Sequence, residues 1–224
     1  MNSDKAFSLI ELSIVLIIIS LLVAGIIGGK SLVDGAKVYT TISELRKFKQ
    51  EIYSFKLLKN RLPGDLTGSG KIGKYGDQSY NNNSFGGNYV SSNRNYGIPT
   101  QKVGPFVDLF LNNISDFEPK KTVPQTGDLN DENGGSPLSK SLDCWYYFEH
   151  GWGSTNSSDG KYLMPEKTFI VCRKYPSPTR KLKYFMKIDE KIDDGIWNMG
   201  DFRSRVRYDN LNSNGSHHFF YAVE

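Results

Sequence analysis

The stretch "KAFSLIELSIVLIIISLLVAGIIGGK", residues 5–30, decides the architecture of this chain. No charged residue occurs over 12–29. At about 1.5 Å of rise per helical residue, the run 7–27 would be roughly 31 Å long, which matches the hydrocarbon core of a bilayer. The segment is therefore predicted to span a membrane as a helix.

One carboxylate, Glu11, lies near the start of this apolar run. On an insertion scale, the Leu, Ile and Val residues over 12–27 contribute about −4 to −7 kcal/mol, against about +3 kcal/mol for one central acid. Insertion is therefore favoured, and an ordinary anchor with a stray acid would explain the hydropathy alone. An ionisable group in a membrane segment is nevertheless a functional hypothesis that requires a partner.

A secretory signal peptide fits the stretch poorly, because the apolar run exceeds the usual length of about 7–15 residues and "MNSDK" has only Lys5 as a positive side chain. The stretch resembles the prepilin leader and N-terminal helix shared by type IV pilins and type II secretion pseudopilins. In that family a short charged leader ends in a small residue, Phe usually follows, and a Glu is fifth after the cut. Here "MNSDKA" corresponds to the leader, Phe7 to the new N-terminus and Glu11 to the fifth position.

This resemblance implies a processing site and an assembly residue. A prepilin peptidase and methyltransferase would cut between Ala6 and Phe7 and then methylate the Phe7 amine. In a filament, the Glu11 carboxylate of one subunit would pair with the Phe7 ammonium of a neighbour, where low dielectric strengthens their attraction. The family normally has Gly before the cut, whereas this chain has Ala6, so slower processing is expected.

The helix is predicted to continue to about Leu58. Apolar residues recur every three or four positions among charged ones, as is typical of an amphipathic helix, which here would pack on a sheet. "NRLPGD" then ends the helix, because Pro63 cannot continue it. The predicted apolar stripe consists of Leu32, Ala36, Tyr39, Ile42, Leu45, Phe48, Ile52 and Phe55.

The remaining composition fits one exported globular domain. The 224 residues are 38% hydrophobic and rich in Gly outside the apolar run, and the net charge of +4 does not by itself imply a nucleic-acid partner. The sequence is thus divided into a leader at 1–6, a transmembrane half of the helix at 7–29, an amphipathic exported half at 30–58 and a globular pilin-like domain at 59–224.

Two segments dense in aromatic and β-branched residues, "CWYYFEHG" and "TFIVCRKY", are predicted to be strands. Each holds one of the two cysteines, Cys144 and Cys172, so a disulfide is the first interpretation and two buried thiols the second. A metal site is not expected at these cysteines, because no Cys or His partners lie at ligand spacing. The predicted fold class is α+β, with the long N-terminal helix packed on an antiparallel sheet as in pilins.

The segment "FMKIDEKIDDGIWNMGDFRSR" resembles a recurrent C-terminal element of prepilin-like proteins. It is predicted to form a short helix that Gly195 ends in a left-handed conformation. Asp189, Asp193 and Asp194 form either a turn site, compensated by arginines or backbone amides, or a cation site. Calcium is the alternative ligand, although the regular D-x-D-x-D-G spacing is missing.

In "FRSRVRY", Arg203, Arg205 and Arg207 alternate with other residues, so one strand would place all three on one face. That face is interpreted as solvated, with a docking surface for DNA or another subunit as the alternative. "HHFFYAV" is predicted to form the last strand, with His217 and His218 as an exposed pair.

Catalytic signals are weak in this sequence. The stretch "GSGK" at 68–71 is not a phosphate-binding loop, because Asp65 stands where the spacing requires Gly and Ile72 replaces Ser or Thr. The histidines are dispersed or terminal, and no G-x-S-x-G occurs. The chain is therefore predicted to have no catalytic residues and no cofactor.

These observations favour a structural subunit, a pilin or pseudopilin of major or minor type, in a type IV pilus or type II secretion filament. The resemblance implies a single-pass protein of the bacterial inner membrane with its C-terminal domain exported. Its expected partners are the peptidase, other pilins and an inner-membrane assembly platform. Two alternatives stay open: a minor pilin that binds DNA during uptake, and a membrane-anchored exported enzyme.

Overall fold

The computed structural model describes residues 8–66, 68–72, 99–119, 136–139, 141–151, 165–173, 182–209 and 217–223. The chain divides into two compact units, Met1–Lys37 and Val38–Glu224. In the first unit, the described residues form the N-terminal part of one long helix. The second unit contains the end of that helix, two further helices and a sheet.

Helix α1 spans Leu9–Lys59 without a break, which confirms the prediction of a long N-terminal helix. Its packed side begins at Val38, and three predicted stripe positions, Leu32, Ala36 and Tyr39, are exposed because they precede or flank that side. The apolar period thus continues upstream of the packed core. The buried residues of α1 are Val38, Thr41, Ile42, Leu45, Phe48, Glu51, Ile52 and Phe55.

The helix ends in the turn encoded by "NRLPGD". Asn60 has a left-handed backbone with φ of 52°, a conformation common just after a helix C-terminus. Pro63 and Gly64 then form the centre of a β-turn, in which the Asp65 amide donates a 3.1 Å hydrogen bond to the Leu62 carbonyl. Gly64 has φ of 81°, which a type II turn requires at its third residue. Pro-Gly therefore reverses the chain here.

Helix α2 spans Pro99–Leu111. Its buried Asp108 holds the preceding turn. Arg61 donates to the two carboxylate oxygens of Asp108 at 2.5 and 3.2 Å, and the Gly64 amide donates at 2.9 Å. A bidentate guanidinium pairs well with a buried carboxylate, so this contact fixes α2 to the end of α1.

In the described part of the chain, five strands form one antiparallel sheet in the order β1-β2-β3-β5-β4. The two longest, β2 and β3, are the strands predicted from their aromatic and β-branched content. With α1 and α2, this sheet confirms the predicted α+β class. The strands are β1 (Leu138–Ser139), β2 (Cys144–His150), β3 (Thr168–Arg173), β4 (Phe202–Ser204) and β5 (His218–Ala222).

A disulfide joins the two central strands. Cys144 of β2 and Cys172 of β3 are bonded, with their Cα atoms 5.5 Å apart. Cys172 lies opposite Tyr146 in the β2–β3 register, so the cysteines are diagonal neighbours on one face of the sheet. Both are buried. The structure thus has the disulfide that the sequence analysis placed first, and not two thiols.

Both faces of the sheet are buried. One face packs against α1, where the Phe48 ring lies 4.9 Å from the Tyr146 ring between centroids. The other face forms a second apolar cluster, joined by the partly buried Trp197. Burial on both faces explains why β2 and β3 read as continuous apolar runs. The second cluster consists of Tyr147, Phe169, Val171, Phe220 and Ala222.

Helix α3 spans Leu182–Ile192 and precedes β4. Gly195 has φ of 75° beyond its C-terminus, which agrees with the predicted left-handed cap. The prediction of an exposed histidine pair is wrong, because His217 and His218 are 1% and 5% exposed. His218 lies in β5, and β5 is an inner strand of the sheet between β3 and β4.

Candidate functional site

The N-terminus of α1 is capped by side chains of its own first turn. The Ser8 amide donates a 2.8 Å hydrogen bond to Glu11 Oε2, and Ser8 Oγ accepts one of 3.2 Å from the Ile10 amide. Ser8 and Glu11 thus form a capping box, which satisfies amides that a helix N-terminus leaves free. Ala6 and Phe7, the predicted cleavage pair, lie outside the described residues.

Among the described residues of the first unit, the apolar part of α1 has no packing partner. Large apolar side chains from Leu9 to Ile27 are between 49% and 87% exposed. Exposure on this scale is unfavourable in water and favourable in hydrocarbon or against other apolar helices. Within the described part of the chain, α1 is the one helix long and apolar enough to cross a membrane.

In the second unit, Asp189 holds the turn that follows α3. Its Oδ2 accepts a 2.6 Å hydrogen bond from the Tyr208 hydroxyl, and its Oδ1 accepts one of 3.3 Å from the Gly195 amide. Asp189 is fully buried. Burial raises the pKa of its carboxyl from the ordinary 3.8 to about 6, and the two hydrogen bonds only partly oppose this shift. Burial and the neighbouring Asp189 raise the pKa of Tyr208 in turn.

Asp193 and Asp194 hold main-chain amides of the same turn. Asp193 Oδ2 accepts a 2.6 Å hydrogen bond from the Phe202 amide, and Asp194 Oδ1 accepts one of 2.8 Å from the Ile196 amide. Gly200 has φ of 67°, and a Cβ there would overlap the Asp193 carboxylate. Backbone amides, which the sequence analysis named together with arginines, therefore offset these acids at the helix C-terminus.

The three aspartates could offer ligand oxygens within 4.8 Å of one another. Each carboxylate already accepts at least one hydrogen bond from the turn or from Tyr208. The arrangement therefore works as a turn site, in which acidic side chains hold the loop between α3 and β4. Calcium at this cluster stays a prediction.

One strand was predicted to hold all three arginines after the turn. This prediction is wrong, because only Arg203 lies in β4. Strand β4 ends at Ser204, because the chain bends there, although buried and exposed side chains go on alternating. Arg203 donates to two carbonyls of the preceding loop, each at 2.9 Å. Arg207 pairs with Asp209 at 3.0 Å, and Arg205 is exposed. Two of the three guanidinium groups thus have local partners.

The amides of the loop after the "LPGD" turn are bound by a side chain of the same loop. Asp65 is buried and accepts hydrogen bonds from the amides of Ser69 and Gly70 at 2.8 and 2.7 Å. Amides that would hold a phosphate in a glycine-rich loop are therefore bound to a carboxylate of the same chain. This geometry agrees with the rejection of "GSGK" as a nucleotide motif.

Four relevant residues escaped sequence reasoning. The capping role of Ser8 had a local signal, because "SLIE" matches the S-x-x-E pattern before an apolar run. The Arg61–Asp108 pair had none, since its members are 47 positions apart. Glu51 stands in the sequence between the stripe positions Phe48 and Ile52, where a charged residue is expected to face solvent, yet it is only 6% exposed.

Comparison with known families agrees with this geometry at the N-terminus. Residues 1–27 match the family described as the prokaryotic N-terminal methylation motif. That motif is the prepilin-type cleavage and methylation signature of type IV pilins and pseudopilins, so the resemblance noted in the sequence is confirmed. No curated protein and no solved structure matches the chain. The chain therefore carries a prepilin-type N-terminus on an α+β domain.

Proposed function

We propose that this protein is a filament subunit, a pilin or pseudopilin, that a prepilin peptidase cuts between Ala6 and Phe7 and methylates at Phe7. The observation that carries the proposal is the methylation motif at 1–27, which continues into an apolar helix whose side chains are exposed in the described part of the chain. A subunit of this kind is held in a membrane by α1 and joins others through the same helix. Its system is a type IV pilus or a type II secretion filament.

The proposed topology follows from the same segment. The subunit crosses the bacterial inner membrane once, with the C-terminal domain exported. The Cys144–Cys172 disulfide supports export, because disulfides persist in oxidising compartments. The proposed partners are the peptidase, other pilins or pseudopilins and an inner-membrane assembly platform.

At the molecular level, we propose that Glu11 recognises the neighbouring subunit. Its carboxylate would exchange the Ser8 amide for the Phe7 ammonium of that neighbour, so that neither charge stays unpaired in a low-dielectric helix bundle. Glu11 would then fix the axial register of one subunit on the next.

The alternative of a DNA-binding minor pilin has less support. It relied on Arg203, Arg205 and Arg207 on one face, whereas Arg203 and Arg207 are bound locally. The basic run "RKYPSPTRKLK", residues 173–183, would also favour DNA binding, but it lies largely outside the described residues. An exported enzyme also has no supporting observation within the described ranges, where the histidines are buried in or beside strands.

The proposal is tested by coexpression of the full chain with a prepilin peptidase, followed by measurement of its intact mass. The expected product lacks the six leader residues and carries one methyl group on Phe7. A product that retains Met1, or one cut near Ala24, would show that α1 is a plain anchor or a signal sequence. Expression of the same chain without the peptidase serves as the control.

A further inference from the structure

One buried carboxylate has no role in the proposed function. Glu51 lies on the packed side of α1, is 6% exposed, and neither of its oxygens accepts a hydrogen bond within the described part of the chain. Transfer of an ionised carboxylate from water to such a place is strongly unfavourable unless donors or cations compensate it. The groups that surround it therefore decide its charge.

The partners of Glu51 come from α1 itself and from residues 112–117, the α2 loop that follows helix α2. Lys47 Nζ lies 3.7 Å from Glu51 Oε1 and 3.7 Å from Asp116 Oδ2. Both distances exceed the usual N–H···O range of about 2.7–3.2 Å, and the Lys47 side chain is 57% exposed. One solvated ammonium thus faces two carboxylates. The Ser115 hydroxyl is near Glu51 but completes no hydrogen bond to it.

We propose that Glu51 is a proton-controlled latch: the α2 loop docks on α1 while the carboxyl is neutral and loosens when it is ionised. Apart from Lys47 and Glu51, the contacts that the described residues show for this loop are mostly hydrogen bonds to the end of α2 itself, which do not join the loop to α1. The Ile114 amide donates to the Leu109 carbonyl at 3.0 Å, and the partly buried Phe117 packs on the core. Opening of the loop would expose Glu51 to water. Water molecules would then donate to the ionised carboxylate the hydrogen bonds that it lacks while the loop is docked.

The sign of the pH dependence follows from the surroundings. Burial raises the pKa of Glu51 above its ordinary 4.5; Lys47 and Ser115 oppose the shift, and Asp116 adds to it. A group with a raised pKa stabilises the folded arrangement fully below its ordinary pKa and loses that effect as the pH rises through the raised value. Docking of the α2 loop should therefore weaken from acidic toward neutral pH.

Hydrogen exchange of the full chain in detergent micelles tests the latch. Protection of amides in the α2 loop, corrected for intrinsic exchange, is compared at about pH 4.5 and about pH 7.5. It should fall by about tenfold for each unit by which the pKa is raised, whereas Glu51→Gln should remove the fall. Asp116→Asn, which changes a fully exposed acid beside the same lysine, should retain it.

A flat profile in the wild type, or an equal fall in Glu51→Gln, overturns the proposal. A second measurement does not depend on that variant. The ¹³C carboxyl signal of Glu51 in the wild-type chain should titrate above the ordinary value of 4.5, and Lys47→Met should move its midpoint higher still. A wild-type midpoint at or below the ordinary value would also refute the latch.

Discussion

The Ser8 amide lies 2.8 Å from Glu11 Oε2, so the acid in the apolar helix caps the helix that carries it. An isolated subunit therefore has a partner for Glu11 before any neighbour arrives. This contact accounts for a carboxylate at the start of a membrane segment without a second chain. It also divides the proposed role of Glu11 into two parts, a local cap and a charge offered to Phe7.

Two substitutions at Glu11 separate these parts. Glu11→Gln keeps an oxygen for the Ser8 amide but removes the charge, and Glu11→Val removes both. If charge pairing with Phe7 drives assembly, both variants should insert and be cleaved normally, because each makes the segment less polar. An unpaired buried charge typically costs about 3–5 kcal/mol, so both should enter filaments two to three orders of magnitude less.

Crosslinking in cells, followed by recovery with partner pilins, measures that incorporation. Normal assembly of Glu11→Gln would show that capping alone is needed. Ser8→Ala is the matched control: it removes the 3.2 Å bond from the Ile10 amide, at about 1 kcal/mol, and leaves the Glu11 charge in place.

Processing should depend on the residue before the cut. Ala6→Gly restores the residue that prepilins normally have there and should raise the initial rate of leader removal, whereas a bulky Ala6→Val should lower it by occupying a tight subsite. The rates are compared by mass spectrometry of timed samples from peptidase reactions. Equal rates for all three chains would show that this position does not limit cleavage.

The Cys144–Cys172 disulfide should contribute strongly to the stability of the domain. The cysteines are 28 positions apart, and closure of such a loop is worth about 3–4 kcal/mol in the chain-entropy account. The double variant Cys144→Ser, Cys172→Ser should show a denaturation midpoint lower by that free energy. Reduced wild-type protein should match it, and identical midpoints for oxidised and reduced protein would contradict the prediction.

The turn held by Asp189 should weaken as the pH rises. The pKa of Asp189 is raised from 3.8 to about 6, so its neutral form stabilises the fold below about pH 4 and that contribution is lost through pH 6. The free energy of unfolding of the wild type should fall across this window by about 2–3 kcal/mol relative to Asp189→Asn. The difference between the two chains cancels the contribution of Glu51, which has the same sign. Parallel profiles would disprove the assignment.

The Arg61–Asp108 pair should matter through its geometry as well as its charge. Arg61→Lys keeps the charge but loses the two-point contact at 2.5 and 3.2 Å, and should cost about 1–2 kcal/mol. Arg61→Met leaves the buried Asp108 without its cation and should cost more. Chemical denaturation of both variants gives the order, and a Lys variant as stable as the wild type would refute it.

Sequence patterns predicted the elements that are long and regular. The apolar run and the helical period fixed α1, and dense aromatic and β-branched residues fixed β2 and β3. Strands β1 and β4 have only two and three residues, too few to show a period of two, so the arginine segment was assigned too long a strand.

The candidate sites divide in the same way. Glu11 was recognisable because its position is fixed relative to Phe7 along the chain. The burial of Glu51 and of His217 depends on what folds over them from distant segments, and a local pattern carries no information about that. Asp189 was identified by resemblance, whereas its bond to Tyr208 emerged only from the fold.

The short outer strands of the sheet affect whether copies of the protein aggregate before assembly. Among the described residues, the sheet begins and ends with β1 and β4, which have only two and three residues. Longer exposed edges let one chain add its backbone to the next and start irreversible aggregation. Many copies confined to one membrane can therefore collide without fusing their sheets, which leaves contacts through side chains and helices as the route to an ordered and reversible polymer.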